Sequence, residues 1–182
     1  MMTEIERLEG CNLILRLIRP EDAEYVHGLR TEPAYNRHLS AVTGTAEDQR
    51  RWIEAYKARE VAGSEYYYVI ERRDGMRCGL VRLYDIGSDC FTWGSWILDH
   101  NKTPKAALES AVLIYDLGFE VLGLSRAVLD VRRDNQRTLA FHRRFGAEET
   151  HASAQDIFFV YRRETFLRDR AAHLAILTGA VG

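Results

Sequence analysis

Cysteine is scarce in this 182-residue chain, with three in all, and their placement excludes more than their number does. Cys11, Cys78 and Cys90 lie far apart, each in a strand-like run, so neither a disulfide framework nor metal-ligand spacing is present. The expectation is reduced, partly buried thiols in a cytoplasmic protein that uses no metal. Long apolar runs are missing, which argues against a membrane span. The opening MMTEIERLEG carries acids without an apolar stretch, unlike a secretion signal. An excess of one charge is missing too: 25 Lys and Arg face 27 Asp and Glu, which argues against nucleic acid as a partner. No G-x-G-x-x-G, Walker-type loop, G-x-S-x-G elbow or His/Cys cluster occurs, so dinucleotide redox chemistry, ATP hydrolysis, serine hydrolysis and metal catalysis lose ground.

What is present is one folded domain, since 46% hydrophobic and 29% charged residues suit a core with a solvated surface. Residues 12–20 alternate as a first strand closed by Pro20, and 20–30 read as a helix with acids in its first turn. Residues 45–60 form a second helix, with Thr45 as cap, Asp48 at capping-box spacing and an apolar stripe of Trp52, Ile53 and Tyr56. Three strands follow at 65–72, 78–86 and 90–98, joined by RDGMR and GSD as an antiparallel meander. Pro104 begins a long helix over 104–122, capped by Thr103 and stopped by Gly123. A strand at 126–131, a helix at 136–145 stopped by Gly146, and two strands in AEETHAS and DIFFVYRRETF complete the domain. The succession strand, helix, strand over 90–131 is a right-handed crossover and implies a parallel pair. The expected fold is α+β: a mixed, mostly antiparallel twisted sheet with a central parallel βαβ pair and helices on both faces. The domain spans 12–164, and 165–182 form a C-terminal helix or tail whose AAHLAILTGAV either caps the monomer or pairs with a second copy.

Three stretches could carry chemistry. In SWILDHNKTPKAALES a helix start, with its unpaired N–H groups, is flanked by Lys102 and Lys105 and kept open by Ala106 and Ala107. It reads either as a pyrophosphate cradle or as an ordinary loop with surface lysines. In CFTWGSWIL, Gly94 suggests a bulge that would splay this strand from 126–131 and free backbone groups for an extended, amide-bearing ligand. Trp93 and Trp96, with Tyr84, either stack on a ligand ring or fill the core. In DVRRDNQRTLAFHRRFGA, Asn135 caps a helix or meets a ligand amide, and His142 faces inward with Phe141 and Phe145. That histidine is either buried filler or, with a pKa near working pH, a proton carrier. The basic run Arg132, Arg133, Arg137, Arg143 and Arg144 reads as a solvated face, with one or two of them near a phosphate as the sharper alternative.

In this order, GSWIL, ALES…LIYDLGFEVLGL, RAVLDV and NQRTLAFHRRFGA resemble the GNAT superfamily of acyl-CoA-dependent N-acyltransferases over residues 12–164. The resemblance implies direct transfer of an acetyl group from acetyl-CoA to an amine. The backbone near Ile97 and Leu98 would take the pantetheine and the carbonyl. Lys102, Thr103, Lys105, Ala106 and Ala107 would take the pyrophosphate, although Thr103 and Lys105 stand where the family has glycines. Asn135 would bind the pantetheine arm, and His142, at a position where many members carry Tyr, would protonate the departing thiolate. Asp85 is the candidate base, with Asp99 and Glu65 as alternatives; Tyr84, Trp93 and Trp96 would contact the acceptor. TAEDQRRWIEAY and FHRRFGA resemble the branch that acetylates nucleotide-linked amino sugars, as in the pseudaminic-acid pathway. The branch acting on ribosomal-protein N-termini, and a non-catalytic acyl-CoA-binding module, are the other readings.

Overall fold

The computed structural model describes residues 3–179. Its strands are β1 (Arg7–Glu9), β2 (Leu13–Leu17), β3 (Tyr66–Arg72), β4 (Arg77–Tyr84), β5 (Cys90–Leu98), β6 (Arg126–Arg132), β7 (Glu148–Ala152) and β8 (Asp156–Arg162). Its helices are α1 (Ala23–Thr31), the single turn α2 (Pro33–Asn36), α3 (Ala46–Val61), α4 (Ala106–Tyr115), α5 (Gln136–Phe145) and α6 (Arg163–Thr178). The eight strands form one sheet in the order β1-β2-β3-β4-β5-β6-β8-β7. All neighbours are antiparallel except β5 and β6. The expected mixed sheet with a central parallel pair is therefore the observed one.

Both faces of the sheet are covered because β3 is apolar in both phases of its alternation. Tyr66, Tyr68 and Ile70 enter a core closed by α4 and α6, while Tyr67 and Val69 enter a second core closed by α1 and α3. The α3 start is as expected: the Thr45 hydroxyl accepts from the Asp48 N–H at 3.2 Å, and Asp48 Oδ2 accepts from the Thr45 N–H at 2.8 Å. Of its stripe, Ile53 and Tyr56 are buried and Trp52 stays at the rim. The buried Glu109 of α4 accepts from the N–H groups of Asn12 and Leu13, each at 2.8 Å, and so ties the helix to the head of β2.

Several boundaries differ from expectation. The strand β1 was unforeseen, because three residues with two charges show no alternation; backbone pairing to β2 alone defines it. The first-strand run ends at Leu17 instead of Pro20. Helix α4 starts at Ala106, two residues late: Lys105 takes a left-handed conformation (φ 62°), and the Thr103 hydroxyl is buried without a partner instead of capping. Its last turns widen into a π-helix at Asp116–Val121, where Gly118 lies against the Phe91 ring. The residues ETF belong to α6, not to a strand. Cys11 is exposed and lies outside any strand, while Cys78 is buried. Residues 180–182 of the expected tail lie outside the described residues. No helix among the described residues is long and apolar enough to cross a membrane.

Candidate active site

The site begins with a fault in the sheet. Strands β5 and β6 pair only at Cys90↔Arg126 and Phe91↔Ala127; beyond that point they diverge, and the β5 edge facing β6 has no strand partner. The cause is on the other side of β5. Its register with β4 jumps between Leu80↔Ile97 and Arg82↔Gly94, and Ser95 sits at φ 47°. The bulge is thus at Ser95, one residue after the expected Gly94. An inserted residue reverses the alternation. Phe91 and Trp93 point into the first core, and after the bulge Trp96 and Leu98 return to the same side. Both tryptophans consequently meet, ring centroids 5.0 Å apart.

The wedge holds a cavity of about 310 Å³ walled by Trp93 and Ser95 on one side and by Leu129 and Asp130 on the other, with Asn135 and His142 along its depth. Residues 38–40, after α2, roof it, and His38 Nδ1 lies 3.2 Å from Asp134 Oδ1 at the head of α5. A second cavity of about 350 Å³ shares Trp96 and Thr138 with the first and runs past Leu98, Lys102, Ala106 and Ala107. The two are one cleft narrowed in its middle. Its outer half carries four cations, Lys102, Lys105, Arg137 and Arg144, beside the start of α4, which suits a polyanion. Lys105 Nζ also donates to the Ile176 carbonyl at 2.9 Å, joining this wall to α6. Arg137 and Arg144 belong to this groove, and the sequence alone left them between groove and solvent.

The expected α5 corner is present. The Asn135 side chain accepts from the Thr138 N–H at 3.3 Å, and Gly146 ends the helix at φ 111°. His142 is 4% exposed, its ring 5.5 Å from Trp93 and 5.8 Å from Phe159, and its Nδ1 is buried without a partner. Burial alone pushes its pKa down to about 4. The expectation of a pKa near working pH is corrected: at neutral pH this imidazole carries no charge. Trp96 donates its indole N–H to Ser110 Oγ at 3.1 Å, which orients it between the two halves of the cleft. Trp93 is buried, whereas Tyr84 lines the cavity under the Arg82 guanidinium, 4.3 Å from its ring centre.

Not every candidate reaches the cleft. Asp85 is exposed at the end of β4 (φ 48°) and outside the cavity lining. The Ile97 side chain points into the second core. Asp99 is buried but held by the Tyr25 hydroxyl at 2.7 Å and the Asn101 N–H at 2.8 Å. Glu65 is paired with Arg82 at 3.0 Å and Arg59 at 3.3 Å. Two carboxylates line the cavity, Asp130 and Asp156, and sequence reasoning missed both; Asp156 is paired with Arg132 at 3.7 Å. The environment of Asp130 raises its pKa, first through desolvation and then through the charge of Asp156. The signal was in RAVLDV: an acid in the outward phase of a strand that borders the splay. Among the described residues no group of three His, Cys, Asp or Glu is arranged to hold a metal ion.

Comparison with known proteins is consistent with this geometry. Residues 12–148 match the profile of the Acetyltransferase (GNAT) domain family. A solved structure described as apo FdhC, a nucleotide-linked sugar GNAT, is 35% identical, with 92% of this chain and 96% of that chain covered and a TM-score of 0.85. RimL, a ribosomal L7/L12 alpha-N-protein acetyltransferase in complex with coenzyme A, shares the fold at 16% identity, TM-score 0.75, covering 88% and 99% of the two chains. A spermidine N-acetyltransferase from Vibrio cholerae, in complex with CoA and spermine, shares it at 18% identity, TM-score 0.74, covering 87% and 99%. A search of curated proteins found no match. Profile match and 35% identity together assign this chain to the GNAT family of acetyl-CoA-dependent N-acetyltransferases.

Proposed function

We propose that the chain transfers the acetyl group of acetyl-CoA to a primary amine on a nucleotide-linked amino sugar. The wedge between β5 and β6 carries the reading, because it joins a cationic groove to a cavity that brings Asp130 together with the neutral imidazole of His142. In this reading 12–164 is the acyltransferase domain, and α6 buttresses the groove through Lys105. The groove residues Lys102, Lys105, Arg137 and Arg144 neutralise the pyrophosphate of acetyl-CoA, which supplies the acetyl group. Asn135 and the free edge of β5 near Leu98 hold the pantetheine amides, and a backbone N–H of that edge polarises the thioester carbonyl.

Attack needs a neutral amine. The base assignment moves from Asp85 to Asp130, whose raised pKa suits accepting a proton inside the cleft. His142 serves the other end. Because it is neutral above about pH 4, it assists the departing sulfur by a hydrogen bond from whichever ring nitrogen carries the proton, not as a stored imidazolium. Tyr84 and Trp96 pack against the acceptor.

Thiol release from acetyl-CoA, followed with nucleotide-linked amino sugars, N-terminal peptides and polyamines, tests the proposal. Turnover is expected with the amino sugars. Preference for peptides would transfer the site to protein N-termini, and no thiol release with any amine would favour a non-catalytic acyl-CoA-binding module. Asp130→Asn should lower kcat on the order of 10²-fold or more; unchanged kcat would remove Asp130 as base.

A further inference from the structure

A third cavity, about 440 Å³, opens behind the roof of the wedge and lies between α1, α3 and the strands β3 and β4. It shares Ser40 and Arg82 with the reaction cavity, so the two adjoin. Its lining is unlike a packing defect. Tyr67, 1% exposed, turns its hydroxyl oxygen toward the Arg30 guanidinium, and its O–H finds no acceptor among the described residues. Beside it, Arg30 has a buried Nε without a partner, while its other end donates to Ser40 at 3.1 Å. Buried donors left without acceptors are rare in folded proteins and cost stability. Here two of them, both donors, lie side by side in the wall of the cavity. Gln49, buried on the inner face of α3, and Trp52, 37% exposed, complete the outer wall.

Acids are present, but they are engaged. Asp48 caps α3 through Thr45 and pairs with Arg51 at 3.2 Å, and Glu65 is tied to Arg59 and Arg82. The groups turned to the cavity are therefore donors: a phenol, two guanidiniums and an amide beside an indole. The single acid in the lining, Asp48, is engaged by Thr45 and Arg51 and is outnumbered by two guanidiniums, which disfavours a cationic acceptor. A diphosphate supplies the missing acceptors, and a nucleobase supplies a flat ring with an edge that an amide can read.

We infer that this cavity is the binding site for the nucleoside diphosphate part of the acceptor, with Tyr67, Arg30 and Arg82 on the phosphates and Gln49 and Trp52 at the base. The inference rests on the proposed acceptor class and adds where its specificity is read. The sugar then crosses the shared wall at Ser40 and Arg82, and its amine enters the wedge near Asp130.

The test is calorimetric titration of the full chain, without acetyl-CoA, using thymidine diphosphate, uridine diphosphate and inorganic pyrophosphate. At least one nucleoside diphosphate should bind, and more tightly than pyrophosphate. Arg30→Met should weaken that binding about tenfold or more, the loss expected for a charge-assisted contact. Tyr67→Phe should weaken it too, and by more than any loss in the melting temperature of the unliganded protein accounts for. Acetyl-CoA affinity should be unchanged in both variants. Absence of nucleoside diphosphate binding, equal binding of pyrophosphate, or a Tyr67→Phe protein that loses stability but keeps nucleotide affinity would each overturn the inference. If nucleotide-linked amino sugars are turned over with unaltered KM in both variants, the acceptor assignment stands and this cavity does not. If nucleoside diphosphates bind but no amino sugar is acetylated, the cavity stands and the acceptor assignment fails.

Discussion

At the scale of single residues, His142 has a measurable signature independent of catalysis. Its buried ring resists protonation until about pH 4, whereas the unfolded chain protonates it near the ordinary histidine value of about 6.5. The folded-state pKa is depressed, so the stabilisation is complete above the unfolded value and is lost as pH falls from about 6.5 to about 4. The loss is on the order of 3 kcal/mol, because each tenfold difference in proton affinity between the folded and unfolded chain is worth roughly 1.4 kcal/mol. Urea denaturation at pH 7 and pH 4.5 should show this dependence in the wild type and a much smaller one in His142→Gln. Equal slopes for the two proteins would mean that the ring is solvated. Asp130 is the weaker counterpart: it stays solvent-exposed, and partial desolvation together with the charge of Asp156 raises its carboxyl pKa. The two shifts run in the same direction, each toward the neutral form, on the walls of one cavity.

Among the elements, the divergence of β5 from β6 depends on what holds their vertex. Phe91 is the last β5 residue paired with β6, and its ring packs against Phe119 at 5.4 Å. A Cβ at Gly118 would lie 2.2 Å from that ring, so the π-helical turn that carries Gly118 is shaped to admit Phe91. Gly118→Ala should destabilise the protein by about 1–3 kcal/mol, the usual cost of overpacking a core, and raise the KM for acetyl-CoA as the vertex shifts. A thermal melt and a KM measurement check both; an unchanged melting temperature would show that Phe91 has room to move. The bulge at Ser95 is the second determinant. Without the phase change Trp96 and Leu98 would face the α1–α3 side, and the narrow middle of the cleft would lose its indole.

For the whole molecule, charge is distributed by function although its sum is small. Net charge is −2, yet four cations gather along the outer cleft. The double substitution Lys102→Ala, Arg144→Ala should raise the Kd for acetyl-CoA about tenfold at low ionic strength and flatten its salt dependence. Titrations at two salt concentrations read both quantities; an unchanged salt slope would locate the pyrophosphate elsewhere.

The elements were largely legible in the sequence because their signals are local. The Thr45–Asp48 capping box, the Asn135-to-Gly146 helix and the strand β3 each depend on neighbours in the chain, and each was found within a few residues. So was the order of elements that implies the parallel pair. Tertiary structure alone decided the rest, since burial and juxtaposition join residues far apart in sequence. It lowered the His142 pKa, since desolvation comes from rings on β5 and β8. It removed Asp85 from the cleft and put Asp130 in it, because the splay and not the strand end determines which acid faces the cavity. It brought Arg30 of α1 beside Tyr67 of β3 in the wall of a cavity; no spacing in the chain encodes that encounter.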